Sequence, residues 1–80
     1  MRSDLLIKRF GDLVRKARES HHQSQEELGF NVGMHRNYIG MIERGERNIS
    51  FDKALLLIRY LEIDIKELYD EIPLCEQKKK

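Results

Sequence analysis

The sequence has no tryptophan, one cysteine, one proline and no marked excess of charge of either sign. A single cysteine, Cys75, cannot close an internal disulfide, which points to a reducing compartment. The only proline, Pro73, is a helix stop close to the C-terminus, and no Pro/Gly/Ser-rich linker divides the chain. No run of about 18 apolar residues is present to span a membrane. The N-terminal Met1-Arg2-Ser3-Asp4 carries an acid and lacks the apolar stretch of a signal peptide. These absences lead to the expectation of a soluble, cytoplasmic protein. No repeat period and no strand-like alternation appear. There is also no phosphate loop and no Ser-His-Asp or Cys-His arrangement within a recognisable motif, so an enzyme is not expected. Nor is a cofactor or a metal. His21 and His22 are sequence neighbours that do not share a helix face, and only His35 remains as a third, whereas zinc needs convergent, spaced ligands. His22 suits the end of a helix, because histidine tolerates positive φ better than most residues.

What is present fits one small domain. Forty per cent of the 80 residues are apolar, including three Phe and three Tyr, enough for a modest core. A chain of this length is marginal alone, so an oligomer that buries further apolar area is expected. Net charge is only +1, but its distribution is uneven. Residues 1–23 hold six Lys/Arg against three acids, and residues 51–72 hold three against six. In between, Arg36, Arg44 and Arg47 face four acids. Phosphates would be repelled by the acidic C-terminal half, so any DNA face must come from the first fifty residues.

The most informative stretch runs from Ser24 to Gly45. Ser24 with Glu27 three residues later has the form of a capping box, predicting a helix from Gln25 with Leu28 and Val32 on one face. Gly33 supplies a residue able to take φ > 0 after a helix end. Beyond it, Tyr38, Ile39 and Ile42 return at helical spacing, while Arg36, Asn37, Gly40, Met41 and Arg44 fall largely on the other side. Two short helices joined by a tight Gly turn make a helix-turn-helix, whose second helix can enter the DNA major groove.

Around this motif, Leu6, Phe10, Leu13, Val14 and Ala17 predict a first helix from about Ser3 to Ser20, capped by Ser3 or Asp4. Its basic residues read mainly as a solvated face, with Arg15, Lys16 and Arg18 as possible phosphate neighbours. After the polar loop Glu46–Ser50, Ser50 is placed to cap a fourth helix with a broad apolar face, Ala54, Leu55, Leu57, Ile58 and Leu61. Asp64 and Glu67 suggest a second capping box, with Ile63 and Leu68 as its hydrophobic staple, starting a fifth helix from about Ile65 to Glu71. The expected architecture is all-α: a compact five-helix bundle with a helix-turn-helix. Residues 1–73 form the DNA-binding and dimerisation domain and residues 74–80 a flexible basic tail.

The chain resembles the lambda-repressor/Cro-type helix-turn-helix family, and most closely the controller proteins of bacterial restriction–modification systems. The resemblance spans about residues 6–72. It rests on Val14–Glu19, Ser24–Leu28, Val32-Gly33, Asn37–Ile39 and the run Ile42-Glu43-Arg44-Gly45-Glu46-Arg47-Asn48-Ile49-Ser50. It implies a homodimer on a pseudo-palindromic double-stranded DNA operator, with the helix His35–Arg44 in the major groove. It further implies control of the chain's own gene and of the endonuclease gene, with activation giving way to repression as further dimers bind. Activation would involve RNA polymerase. Three positions depart from the family pattern. Gly29 replaces the usual Ala at the crossing of the motif helices. Gln23 replaces an apolar residue, leaving the second helix without its staple. His35 replaces a Ser or Thr at the N-cap. An alternative from another class is an antitoxin-type or phage-type repressor whose helix-turn-helix serves autoregulation beside a protein-binding role; no long arm for wrapping a partner is seen.

Arg36, near the start of the second motif helix, can present its planar fork to guanine O6 and N7. The competing uses are a phosphate contact or a salt bridge to Glu26 or Glu43. Asn37 can read adenine or bond its own backbone. Gly40 would let the helix approach a base edge or thymine methyl, and Met41 either touches that methyl or is half-buried core. Gln25 opens a helix whose N-terminus suits phosphate, and the resemblance implies that its side chain adds a phosphate bond. Tyr38 offers a hydroxyl to phosphate, or simply packs. His35, Arg44, Arg47 and Asn48 complete the expected DNA-facing set, and Glu43 is expected to tie down a neighbouring Arg. The dimer surface is expected at Ile63, Ile65, Leu68, Tyr69 and Ile72, against the alternative that these close the monomer core.

Overall fold

The computed structural model describes residues 3–70 as five helices: α1 (Ser3–Ser20), α2 (Gln25–Val32), α3 (Arg36–Glu43), α4 (Phe51–Leu61) and α5 (Lys66–Tyr69). No strand occurs among the described residues, so the all-α expectation is met. Pro73, the 74–80 tail and the C-terminal end of the expected fifth helix lie outside the described residues.

Helix boundaries follow from local chemistry. Ser24 Oγ accepts from the Glu27 N–H at 3.0 Å, and the Ser24 N–H donates to Glu27 Oε1 at 2.8 Å, the reciprocal box foreseen from the sequence. Gly33 ends α2 at φ +75°, a left-handed conformation that a Cβ disfavours, and the Met34 N–H returns to the Gly29 carbonyl at 2.8 Å. His22 likewise sits at φ +59° beyond the end of α1. Two other expectations need correction. Ser50 stands at the N-cap of α4, but its hydroxyl donates to the Asp52 carboxylate at 2.7 Å and caps no backbone N–H. The second capping box is half formed: Asp64 Oδ1 accepts from the Lys66 N–H at 3.0 Å, while α5 is only four residues long with Ile65 at its N-cap.

The core is Phe10, Val14, Leu28, Val32, Met34, Ile39, Ile42, Leu57 and Leu61, drawn from α1, α2, the motif turn, α3 and α4. Each such side chain contributes about 1.5–3 kcal/mol on leaving water. Two glycines set how closely the helices approach. A Cβ on Gly11 would lie 2.1 Å from the Ile42 carbonyl oxygen, so α1 and α3 meet backbone to backbone there. A Cβ on Gly29 would lie 2.2 Å from the Met34 carbonyl oxygen. In this backbone, therefore, Gly29 is required at the motif crossing and does more than stand in for alanine. Where Gln23 replaces the usual staple, a polar stitch takes over. Gln23 Nε2 and Asn31 Nδ2 both donate to the Tyr60 hydroxyl, at 3.0 and 2.9 Å, joining the α1–α2 connection and α2 to α4.

Candidate nucleic-acid interface

Helix α3 has two unlike sides. Ile39, Ile42 and Glu43 are buried, while Arg36 and Asn37 at its start and Arg44 at its end are exposed. The buried side is held by more than hydrophobic contact. Arg18 Nε meets Glu43 Oε2 at 2.6 Å, and a second bond joins Arg18 Nη2 to Glu43 Oε1 at 3.1 Å. The two side chains are only 12% and 3% exposed. Arg18 also donates to the Gln23 carbonyl at 2.8 Å. The Glu43 hydrogen bond and charge, opposed by burial, raise the Arg18 pKa further above its ordinary value, so the guanidinium stays charged. Glu43 thus has the structural role expected of it, but the arginine it ties down is not a neighbour: it lies 25 residues upstream on α1. This removes Arg18 from the phosphate neighbours. Arg15 and Lys16 are occupied differently, both pairing with Asp12 on α1.

Glu43 also fixes the end of α2 nearest α3. Gln25 Nε2 donates to Glu43 Oε1 at 3.0 Å, leaving the rest of the amide lying over Gly40. Gly40 is buried, and a Cβ there would stand 3.4 Å from Gln25 Oε1 and 3.1 Å from Arg44 Nη1. The expectation of an open approach to base edges at Gly40 is corrected: its small size seats the Gln25 and Arg44 side chains across the helix. Met41 is half-buried beside it.

The start of α3 is capped by a residue not usual for the task. His35 Nδ1 accepts from the Asn37 N–H at 3.0 Å, which puts the ring proton on Nε2. Arg36 extends back toward α2, its Nη1 3.5 Å from Glu26 Oε1, with side chains 62% and 74% exposed. Of the alternatives open at Arg36, the salt bridge to Glu26 is the one present in the free chain. At the other end, Arg44 Nε donates to Glu46 Oε2 at 2.8 Å and Arg44 Nη2 to Glu46 Oε1 at 3.2 Å. That bond and the Arg44 charge hold the Glu46 carboxyl below its ordinary range. Exposed pairs of this kind are weak and screened by solvent, so a bidentate base contact, worth about 1–3 kcal/mol, outweighs them.

Tyr38 packs its half-buried ring against the core between two cations: Arg47 lies 5.6 Å and Lys53 5.8 Å from the ring centroid. Lys53 was not among the residues expected at this edge. Only the fold reveals it, because the α3–α4 loop brings the first turn of α4 back over Tyr38. Arg47 and Asn48 in that loop are exposed.

The expected dimer residues divide. Ile63 and Leu68 pack against the core, whereas Ile65 and Tyr69 are exposed; Ile72 lies outside the described residues. The sequence reading missed part of the exposed apolar surface. Leu55, assigned to the buried face of α4, is 47% exposed, and its neighbour Leu56 is 43% exposed. The available signal was the width of the apolar face of α4, greater than one core can cover.

This geometry, a short capped helix held outward by a second helix crossing at a glycine turn, defines a helix-turn-helix domain. The helix-turn-helix family model matches residues 14–68. Control protein C.BamHI of Bacillus amyloliquefaciens is 45% identical over 73 residues, covering 88% of this chain and 90% of the relative. Control protein C.SmaI of Serratia marcescens is 38% identical over 55 residues, covering 69% and 66%. The crystal structure of the restriction-modification controller protein C.AhdI from Aeromonas hydrophila superposes with a TM-score of 0.73 at 37% identity, covering 85% of this chain and 99% of that one. A mutant of the controller protein C.Esp1396I shares the fold, with a TM-score of 0.68 at 23% identity over 94% of this chain and 95% of that one. The chain belongs to the helix-turn-helix family and, within it, to the controller proteins of restriction–modification systems.

Proposed function

We propose that the protein is a cytoplasmic, non-enzymatic transcriptional regulator that binds a pseudo-palindromic operator as a homodimer, with α3 in the major groove. The carrying observation is the two-sidedness of α3: Arg36 and Asn37 are exposed at its start, while Ile39, Ile42 and Glu43 anchor the opposite side. Arg36 reads a guanine and Asn37 an adenine, with Met41 beside a thymine methyl. Gln25, His35, Tyr38, Arg44, Arg47 and Asn48 hold phosphates on either side, setting register without reading sequence. Gly40 serves this arrangement from beneath by seating Gln25 and Arg44.

Dimerisation uses the exposed apolar side chains Leu55, Leu56, Ile65 and Tyr69 of α4 and the α5 region. Ile63 and Leu68 support these residues from within the monomer. Twofold symmetry then sets the recognition helices about 34–36 Å apart, one turn of DNA. The regulated genes are the chain's own and that of its endonuclease, with activation through RNA polymerase and repression at higher occupancy, as the family resemblance implies.

Selection of binding sites from a random duplex pool tests this reading. The protein should enrich a twofold-related sequence, and Arg36→Ala should bind the selected and scrambled duplexes with equal affinity while remaining folded and dimeric. Failure of the unaltered protein to enrich any sequence would overturn the proposal. Undiminished preference in Arg36→Ala would remove that residue from the reading set.

A further inference from the structure

Each of the two arginines at the ends of α3 is engaged by a carboxylate in the free chain, but the two pairs differ. Glu46 lies two residues from Arg44 and travels with it. Glu26 lies on α2 and reaches across the crevice between the motif helices to Arg36. We infer that Glu26 is a specificity-determining residue, an internal stand-in acceptor that keeps Arg36 occupied on any duplex lacking the right base edge. The inference rests on the DNA-reading role proposed above for Arg36.

The carboxylate offers the Arg36 fork the acceptor chemistry that guanine O6 and N7 offer in the groove. Contact with Glu26 is through one nitrogen at 3.5 Å in open solvent, so it exchanges readily for a base edge presenting two acceptors. Edges with one acceptor, or with a donor in place of the second, do not displace it. On such sequences Arg36 is shared between Glu26 and the phosphates, which weakens its phosphate contact, and the region from Ser24 to Ser50, with three arginines and four acids, has little general attraction for DNA. Without the carboxylate, Arg36 is free to settle on a phosphate of any sequence. Non-specific binding then rises, while the operator complex, in which Arg36 already lies on a base, gains less.

Glu26 also sits in the first turn of α2, where a negative charge suits the helix dipole, but Glu27 in the same turn makes the capping box. This makes Glu27→Gln a control: it removes the same charge, leaves the Arg36 pair intact, and keeps an amide oxygen to accept from the Ser24 N–H.

The test measures the affinity of the full-length protein for the selected operator and for a scrambled duplex across a salt series. In Glu26→Gln, affinity for the scrambled duplex should rise severalfold, at most about fivefold, at 0.1 M salt, and its log K against log salt should steepen by up to about 0.9, the signature of one added phosphate contact. The operator slope should not change, and operator preference should fall severalfold. Glu27→Gln should show none of this, and adding Glu26→Gln to Arg36→Ala should leave the scrambled-duplex slope where Arg36→Ala alone puts it. The inference is overturned if Glu26→Gln leaves preference and slope unchanged, if Glu27→Gln has the same effect, or if the steepening persists without Arg36. Absence of operator preference in the unaltered protein would instead defeat the regulator reading itself, before Glu26 is at issue.

Discussion

The α2–α3 motif and the α4–α5 region are built from similar lengths of chain, yet only in the motif do side chains cap both helix starts. In the motif, α2 has both halves of its capping box, a left-handed glycine ends it, and α3 is capped by His35 and anchored through Glu43 to α1. In the α4–α5 region, Ser50 caps no N–H, α5 is a single turn, and Leu55, Leu56, Ile65 and Tyr69 are left exposed. The contrast teaches where each half gets its stability. Local hydrogen bonds and a buried ion pair fix the motif, while the other half leaves apolar surface exposed, the surface proposed above for dimerisation.

The largest effect should come from breaking the anchor of the motif. Arg18→Met leaves the buried Glu43 carboxylate without its charge partner, with only the Gln25 amide still donating to it, and should cost about 3–5 kcal/mol, a large part of the stability of so small a domain. Urea titration followed by circular dichroism measures it. Leu55→Asp tests the opposite region. It should raise the dimer dissociation constant at least about 100-fold, equivalent to about 2.7 kcal/mol, in sedimentation experiments, while the helical signal of the monomer persists. An unchanged dimer would show that α4 contributes no interface.

Smaller effects sharpen the same comparison at the two serine caps. Ser24→Ala should destabilise by about 1 kcal/mol, because the Glu27 N–H loses its acceptor. Ser50→Ala should cost only a few tenths of that, since its hydroxyl serves Asp52 alone. Acid should act last and least. Glu46 and Asp52 are held below their ordinary values of 4.5 and 3.8, by the Arg44 guanidinium and the Ser50 hydroxyl respectively. The unfolded chain therefore binds more protons in that range. The contribution of these contacts is whole above about pH 4.5 and is lost as pH falls through and below 4, measurable as a declining melting temperature.

Much of the motif was legible in the sequence because its determinants are local. Ser24 with Glu27, and Gly33, are separated by a few residues, and their hydrogen bonds close within one or two turns. What was not legible depends on distance along the chain. That Glu43 needs an arginine could be read nearby; that the arginine is Arg18 could not. The role of Gly40 was misjudged because periodicity assigns a residue to a helix face and says nothing of which long side chains fold over it. Leu55 was misplaced for a related reason: when apolar residues surround a helix, the 3.6-residue period no longer selects one buried stripe. Lys53 reaches Tyr38 only through the course of the α3–α4 loop, which no spacing rule encodes.

The separation of duties along α3 bears on how such proteins diverge. Ile39, Ile42 and Glu43 carry the obligations of folding, and Arg36 and Asn37 carry almost none. Substitutions at the latter pair can accumulate at little risk to the domain, so if that pair reads bases as proposed, sister regulators can acquire separate addresses on DNA while keeping one shared chassis. Two such systems entering the same cell would then avoid cross-talk by exchanging a few surface side chains.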